Sequence, residues 1–287
     1  MSEGPGFIRE ADVWNALARW RAERRRFVLA TVVSTRGFTP RKAGAHMLIG
    51  ERETVGTVGG GAIELEVQTA AAELLGRGGT AEVGRHLTQE LGMCCGGEMK
   101  IFLEVIEPAP RIFIFGAGYI AKPLAGIAAG CGFEVTVVDG RAEWASPERF
   151  PTSALCVRPA DDAVRDLETA ADDYAVVMTH DHGCDQRIVE VLLRRPLRFV
   201  GMIGSTSKQR KFALRLRARG FSDAEIARLR SPLGLSIGGQ TPEEIAVSVM
   251  AELIAARRGA PLPASWVPPA RAGRARDESA GMEAPHR

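Results

Sequence analysis

The sequence predicts an α/β protein, with an N-terminal α+β domain followed by a Rossmann-type domain built on a doubly wound parallel sheet. Three observations carry this prediction. Residues 111–139 read in order as strand, glycine turn, helix, strand and acid. A Glu-Pro-Ala-Pro segment, 107–110, has the composition of a linker, since two prolines suppress both helix and central strand. Strands outnumber helices before that segment, and the two alternate after it. The expected division is an α+β domain over 1–107, a Rossmann-type domain over 108–259 and a disordered tail over 260–287, where prolines, alanines, arginines and glycines lack apolar periodicity.

In the first block, Val13, Leu17 and Trp20 recur at helical spacing, which predicts an amphipathic opening helix. Phe27–Val33 is rich in β-branched residues and reads as a strand. A loop punctuated by glycine and proline, STRGFTPRKAGAH, leads to short strands at Met47–Ile49 and Thr54–Val58. Gly59, Gly60 and Gly61 precede a helix over Ala62–Leu75, and further strands are expected near Glu82–Leu87 and Met99–Ile106.

The second block opens on Ile112–Phe115, an uninterrupted apolar run of the kind that a strand buried on both faces requires. Gly116 and Gly118 allow a tight turn and a close backbone approach to a phosphate. Ala121 takes the third small position of the fingerprint, where the helix packs on its strand. The next strand, Val135–Val138, ends in Asp139, placed where an acid can hydrogen-bond a ribose hydroxyl. Later strands are expected at Leu155–Val157, Ala175–Met178 and Phe199–Ile203. The last helix is announced by Thr241 and Glu244 in capping-box spacing, with Pro242 at its first position.

Composition narrows the function classes. The 287-residue chain carries a net charge of +2, and its arginines are scattered apart from Arg24–Arg26, which reads as a solvated helix end. That balance argues against a dedicated nucleic-acid binder. No apolar run is long enough to span a membrane and the N-terminus lacks a signal-peptide pattern. Five irregularly spaced cysteines do not make a disulfide framework. A cytoplasmic protein with reduced thiols is expected.

Four segments have residue types that carry chemistry. Gly59, Gly60 and Gly61 stand where backbone N–H groups can cradle an anion, with Glu64 in the first turn of the next helix; a tight turn with a dipole-matched acid explains them equally well. Cys94 and Cys95 are adjacent and followed by glycines, so one side chain can face a cleft while the other is buried. The segment THDHGCDQ follows a strand of the parallel sheet, and its His180, Asp181, His182 and Asp185 are candidates for metal binding or proton transfer; helix capping by Asp181 or Asp185 is the simpler alternative. Gly204, Ser205 and Lys208 open a helix with a hydroxyl and an ammonium, which suits either a phosphate or ordinary capping.

In their order, TVVSTRGFTPRKAGAHMLI, GTVGGGAIE, GMCCGGEMKIFLE, GAGYIAKPLA, THDHGCDQ, GMIGSTSKQRK and GLSIGGQTPEEIAVSVMAEL make the chain resemble the XdhC/CoxI family from Arg9 to Gly259. Members are accessory proteins of xanthine dehydrogenase and related molybdenum hydroxylases. The resemblance implies a chaperone rather than an enzyme. Such a protein would bind the molybdenum cofactor (molybdopterin), support its sulfuration and insert it into apo xanthine dehydrogenase or a related hydroxylase. It implies an apo molybdenum hydroxylase and a cysteine desulfurase as partners, with a homodimeric state and neither nucleic acid nor membrane. Carried over by motif, Gly59, Gly60, Gly61 and Glu64 match the family's GGG-x-x-E segment. Cys95 matches the cysteine of its CGG segment and becomes the candidate ligand to the metal, while Cys94 stands where a different residue is common. Gly116, Gly118 and Asp139 match the Rossmann portion, and His180, Asp181 and Asp185 match the segment after the later strand. Ser205 and Lys208 complete the candidate cofactor-binding set.

Two other readings stand beside this one. An NAD(P)-dependent oxidoreductase would use the Rossmann domain, with His180 or Lys208 as acid; it explains Asp139 but leaves GTVGGGAIE and GMCCGG without a role. A cofactor-free adaptor would dock a sulfurtransferase to the apoenzyme.

Overall fold

The computed structural model describes residues 10–86 and 97–261, and the chain divides into two compact units, Met1–Ala109 and Pro110–Arg287. The Cys94–Cys95 pair and nearly all of the expected tail lie outside the described residues.

The N-terminal unit contains α1 (Glu10–Ala22), β1 (Phe27–Arg36), β2 (His46–Ile49), β3 (Thr54–Gly56), α2 (Gly61–Arg77), β4 (Thr80–His86) and β5 (Glu98–Ile106). Its strands form one antiparallel sheet in the order β3-β2-β1-β5-β4. Alternation along the strands sorts the side chains between two faces. Val28, Ala30, Met47, Ile49, Met99 and Ile101 pack with the buried face of α2, which presents Ile63, Val67, Ala71 and Leu74. The intervening Phe27 and Leu48 pack with Val13, Ala16 and Trp20 of α1. Trp20 is fully buried, edge-on to Phe27 at 5.2 Å, with the Arg25 guanidinium 4.0 Å above its ring. The strand expected over Thr54–Val58 stops at Gly56, because the next N–H groups are engaged by a side chain rather than by a neighbouring strand.

The C-terminal unit runs β6 (Arg111–Phe115), α3 (Ala121–Gly130), β7 (Glu134–Val138), β8 (Ala154–Cys156), α4 (Ala160–Asp166), β9 (Tyr174–Val177), α5 (His182–Leu193), β10 (Phe199–Met202), α6 (Thr206–Ala218), α7 (Asp223–Ala227), β11 (Leu229–Arg230) and α8 (Pro242–Arg258). The sheet order is β11-β10-β9-β6-β7-β8 and every pairing is parallel, which is the Rossmann arrangement with its switch point between β6 and β9. The apolar run in β6 divides between the two faces. Ile112 and Ile114 pack with Leu124 of α3 and Val249 of α8, while Phe113 and Phe115 pack with Ile188 of α5 and Phe212 of α6. Burial on both faces is what removed any alternation from the sequence. Thr241, Glu244 and Pro242 form the expected capping box and first position of α8, which closes on Gly259 in the left-handed conformation. The two-residue β11 extends the sheet edge by pairing Leu229 and Arg230 with Val200 and Gly201.

Candidate functional site

In the N-terminal unit the chain leaves β3 through Thr57 and Val58 and enters α2 by three glycines with positive φ, 141° at Gly59, 73° at Gly60 and 62° at Gly61. Such angles favour glycine, and at Gly59 a Cβ would also lie 2.6 Å from Pro40 Cγ. Glu64 reaches back from the first turn of the helix. Its Oε1 accepts the N–H of Gly60 at 2.9 Å, the N–H of Val58 at 3.2 Å and the Thr57 hydroxyl, while Gly59 N–H donates to Thr57 Oγ1 at 3.1 Å. The cradle expected to hold a ligand's anion is therefore filled by this chain's own carboxylate. The four-residue offset between Gly60 and Glu64 and the positive end of the helix favour that contact.

Beside this turn lies a cavity of about 510 Å³, lined by Glu10 and Val13 of α1, residues 39–46, Gly56 and Thr57. Its loop is held by a hydrogen bond from buried Thr39 Oγ1 to the Arg41 carbonyl at 2.9 Å and from Gly44 N–H to the Val32 carbonyl at 2.8 Å. Among the described residues its ionisable side chains are Arg41, Lys42, His46 and Glu10. His46 lies on the Trp14 ring at 4.6 Å, and its buried Nδ1 has no hydrogen-bond partner, with Glu10 Oε1 at 3.9 Å. Gly56 has no room for a side chain, since a Cβ would fall 2.4 Å from the His46 carbonyl oxygen and 2.9 Å from Val13 Cγ2. Gly97 packs against the entrance of the same loop, where a Cβ would meet the carbonyl oxygens of Arg36 and Phe38 at 2.5 Å.

In the Rossmann unit the glycine turn after β6 is tight for two reasons. Gly116 has φ of 103°, and a Cβ there would lie 2.6 Å from the Met178 carbonyl oxygen; Gly118 faces open space. Asp139, 5 % exposed, accepts the Ala117 N–H at 2.8 Å through Oδ2. Its Oδ1 accepts the backbone N–H and Nε of Arg141 at 3.0 and 2.9 Å, and Arg141 Nη2 donates to Oδ2 at 2.7 Å. Burial pushes this carboxyl up, but the Arg141 guanidinium and the two backbone donors outweigh it and hold the pKa below the ordinary aspartate value. The acid expected to take a ribose hydroxyl instead ties the turn to the loop after β7. Arg149 reinforces the link by donating to the Ala117 carbonyl at 3.0 Å, and the Arg141 and Arg149 guanidiniums both lie over the Trp144 ring, at 4.8 and 4.6 Å.

A cavity of about 260 Å³ opens at the carboxyl ends of the strands, where ligand crevices of such sheets lie. Gly116, Asp139, His180 and Asp181 line it, together with Asp161, Thr179 and the residues sequence reading did not single out, Arg141, Cys184 and Arg187. Both arginines are already paired, Arg141 with Asp139 and Arg187 with Asp161 at 2.7 Å. Asp181 is the N-cap of α5, accepting Gly183 N–H at 2.8 Å. That contact lowers its pKa, whereas burial raises that of Cys184.

Asp185 and Lys208 meet elsewhere. Asp185 is fully buried and accepts the Lys208 ammonium at 2.7 Å, the Thr179 hydroxyl at 2.7 Å and the Thr179 N–H at 3.1 Å; Lys208 Nζ also donates to the Ile203 carbonyl at 3.0 Å. Ser205 caps α6 by accepting the Lys208 N–H. Gly118, Ser205 and Lys208 do not line the Rossmann cavity. Among the described residues no three His, Cys, Asp or Glu side chains converge as a metal site. His180, Asp181, His182 and Asp185 therefore do not form the metal centre considered from the sequence, because Asp185 turns inward to Lys208 while Asp181 caps a helix. Nor does any helix among the described residues have the length and apolarity to cross a membrane.

In the Rossmann turn the acid and the Ala117 N–H that a dinucleotide would use are engaged from within, Asp139 accepting the Ala117 N–H and pairing with Arg141.

These features define a class: an α/β protein joining an antiparallel α+β unit to a Rossmann unit whose glycine turn is held by its own side chains. The XdhC and CoxI family model matches residues 20–86 and the XdhC Rossmann domain model matches residues 112–253, so the chain belongs to the XdhC and CoxI family. It is 33 % identical to the YqeB protein of Escherichia coli (strain K12) over 82 % of this chain and 44 % of that protein. It is 35 % identical to a probable xanthine dehydrogenase subunit of Bacillus subtilis (strain 168) over 55 % of this chain and 46 % of that protein. The chain thus spans less than half the length of these two curated relatives. It is 21 % identical to the molybdenum cofactor insertion chaperone PaoD of E. coli (strain K12), over 80 % of this chain and 83 % of PaoD. Among solved structures, a xanthine dehydrogenase chain from Bacillus halodurans is similar with a TM-score of 0.50 and 25 % identity, over 88 % of this chain and 97 % of that one.

Proposed function

We propose that this protein is a maturation factor for a molybdenum hydroxylase of the xanthine dehydrogenase type, binding the molybdenum cofactor, supporting its sulfuration and delivering it to the apoenzyme. The observation that carries this reading is the match of family models to both units, residues 20–86 and 112–253. The names of two relatives, a molybdenum cofactor insertion chaperone and a probable xanthine dehydrogenase component, support the same direction.

The cofactor supplies the client's redox-active metal; the chain's own residues bind, orient and release it. Its phosphate calls for cations and backbone donors, and its soft metal centre for a thiolate, for which Cys95 is the proposed ligand. Gly59–Gly61 and Glu64 give the N-terminal unit a rigid turn beside its cavity. Asp139, Asp185, Ser205 and Lys208 hold the loops at the carboxyl edge of the Rossmann sheet. In this reading a cysteine desulfurase provides the sulfur, and the protein acts as a homodimer in the cytoplasm. Moderate affinity suits the task, since the apoenzyme must capture the cofactor by binding it more tightly.

The test is to purify the full chain from cells with and without pterin biosynthesis and to assay oxidised pterin by fluorescence. A pterin that co-purifies only from the competent cells supports the reading. Its absence under anaerobic purification, together with apoenzyme maturation that still depends on the chain, would favour a cofactor-free adaptor.

A further inference from the structure

We propose that the edge of the Rossmann sheet at β11 is a docking site for an extended segment of the client apoenzyme, which adds to the sheet as a further strand. This rests on the maturation role proposed above. It assigns the contact with the client to a cavity that none of the sequence-predicted site residues lines.

β11 is the last strand of its sheet. Leu229 and Arg230 pair with Val200 and Gly201 on one side, and among the described residues no strand lies on the other. Backbone N–H and C=O groups alternate between the two sides of a strand, so this edge presents donors and acceptors in the spacing that another extended backbone matches. A cavity of about 290 Å³ is lined by both β11 residues and by Ser231, with Gln209 of α6 and Ile226 and Ala227 of α7 among the other residues around it. The two guanidiniums in its lining are already paired, Arg230 with Glu252 and Arg217 with Asp223. That favours an uncharged extended segment over an anionic one.

Ser231 is the second observation. The residue is 4 % exposed, yet its Oγ has no hydrogen-bond partner. A buried hydroxyl left unpaired is destabilising, and one that lines a cavity beside an open edge is satisfied when a ligand brings a polar group to it. Gln209 adds an amide that can both donate and accept. The edge is also held ready for docking. Glu252 of α8, 2 % exposed, accepts Arg230 Nε at 2.7 Å through Oε1 and the Gly234 N–H at 2.7 Å through Oε2. The chain on both sides of Ser231 is therefore fixed beforehand, which lowers the ordering cost of association.

The experiment titrates the full chain with a purified apo molybdenum hydroxylase and follows amide hydrogen exchange and affinity. Exchange at residues 229–231 should slow about tenfold or more when the apoenzyme is added, as for amides that gain a hydrogen-bond partner. Ala227→Trp fills the cavity from an exposed position and should weaken apoenzyme binding about tenfold or more, with pterin retained per chain unchanged. Ser231→Ala separates docking from folding. The thermal midpoint of the free chain should hold or rise, because the unpaired hydroxyl is gone, while affinity for the apoenzyme falls by about threefold or more. Val157→Trp, at an exposed residue after β8 on the opposite edge of the sheet, is the control and should bind as the wild type does. Wild-type affinity in both Ala227→Trp and Ser231→Ala would overturn the docking site and leave cofactor binding intact. Slowed exchange at 229–231 that follows chain concentration without apoenzyme would also overturn it, giving the edge to a second copy of this chain. A wild type that neither binds the apoenzyme nor raises its pterin content would overturn the maturation role, and the docking site with it.

Discussion

Glu64 Oε1 accepts the backbone N–H of Gly60 at 2.9 Å, so the helix after the glycine turn anchors the turn with its own first-turn acid. Glu64→Ala would leave the N–H groups of Val58 and Gly60 and the Thr57 hydroxyl without that acceptor. Destabilisation of the N-terminal unit by about 1–3 kcal/mol is expected from unpaired part-buried donors. Glu64→Gln keeps an oxygen in place and should lose less, about 1 kcal/mol. Urea unfolding followed by tryptophan fluorescence measures the difference, and equal losses for the two variants would contradict the anchoring role.

Asp139 does the corresponding work in the Rossmann unit, and its role depends on pH. Its folded pKa is held below the unfolded value of about 3.9. The sign follows: the stabilisation is fully present above the unfolded pKa and is lost as pH falls through the lower folded pKa. Asp139→Asn should therefore be less stable than wild type by about 1–3 kcal/mol at pH 7. The two stability curves should converge in acid. A difference that persisted unchanged after Asp139 is protonated would exclude ionisation as its source.

The Asp185–Lys208 pair ties the loop after β9 to the start of α6 with both charged groups out of water. Lys208→Met would leave a buried carboxylate without its cation and should cost about 3–5 kcal/mol. Adding Asp185→Asn removes the orphaned charge and should recover much of that loss, since the amide oxygen can still accept from Thr179. A double-mutant cycle with a coupling near zero would show that the pair acts independently.

Gly116→Ala tests the turn itself. The substitution combines a left-handed φ of 103° with a Cβ only 2.6 Å from the Met178 carbonyl oxygen. A loss of about 3 kcal/mol or more is expected, as for overpacking added to backbone strain. Gly118→Ala, which meets open space, should cost under about 1 kcal/mol by thermal melting.

The sequence made the fold legible where periodicity and turn chemistry agreed. The apolar run at Ile112–Phe115, the glycine turn and the Thr241–Glu244 box all appear as read, because each is a local pattern with one stable solution. Strand ends are less legible, and the strand expected over Thr54–Val58 stops early because the Glu64 side chain takes the N–H of Val58. The candidate residues divided in the same way. Gly59–Gly61 meet Glu64, and the turn at Gly116 meets Asp139, but both acids point into the turns. Which way a carboxylate turns depends on tertiary neighbours such as Arg141, and spacing does not encode that.

The most direct test of the maturation role is reconstitution of a purified apo molybdenum hydroxylase with cofactor presented on this chain, against the same amount of free cofactor. The apoenzyme should gain bound pterin and hydroxylase activity faster from the loaded chain, with the pterin leaving the chain in equal amount. Equal rates with and without the chain, and no pterin transferred, would contradict delivery.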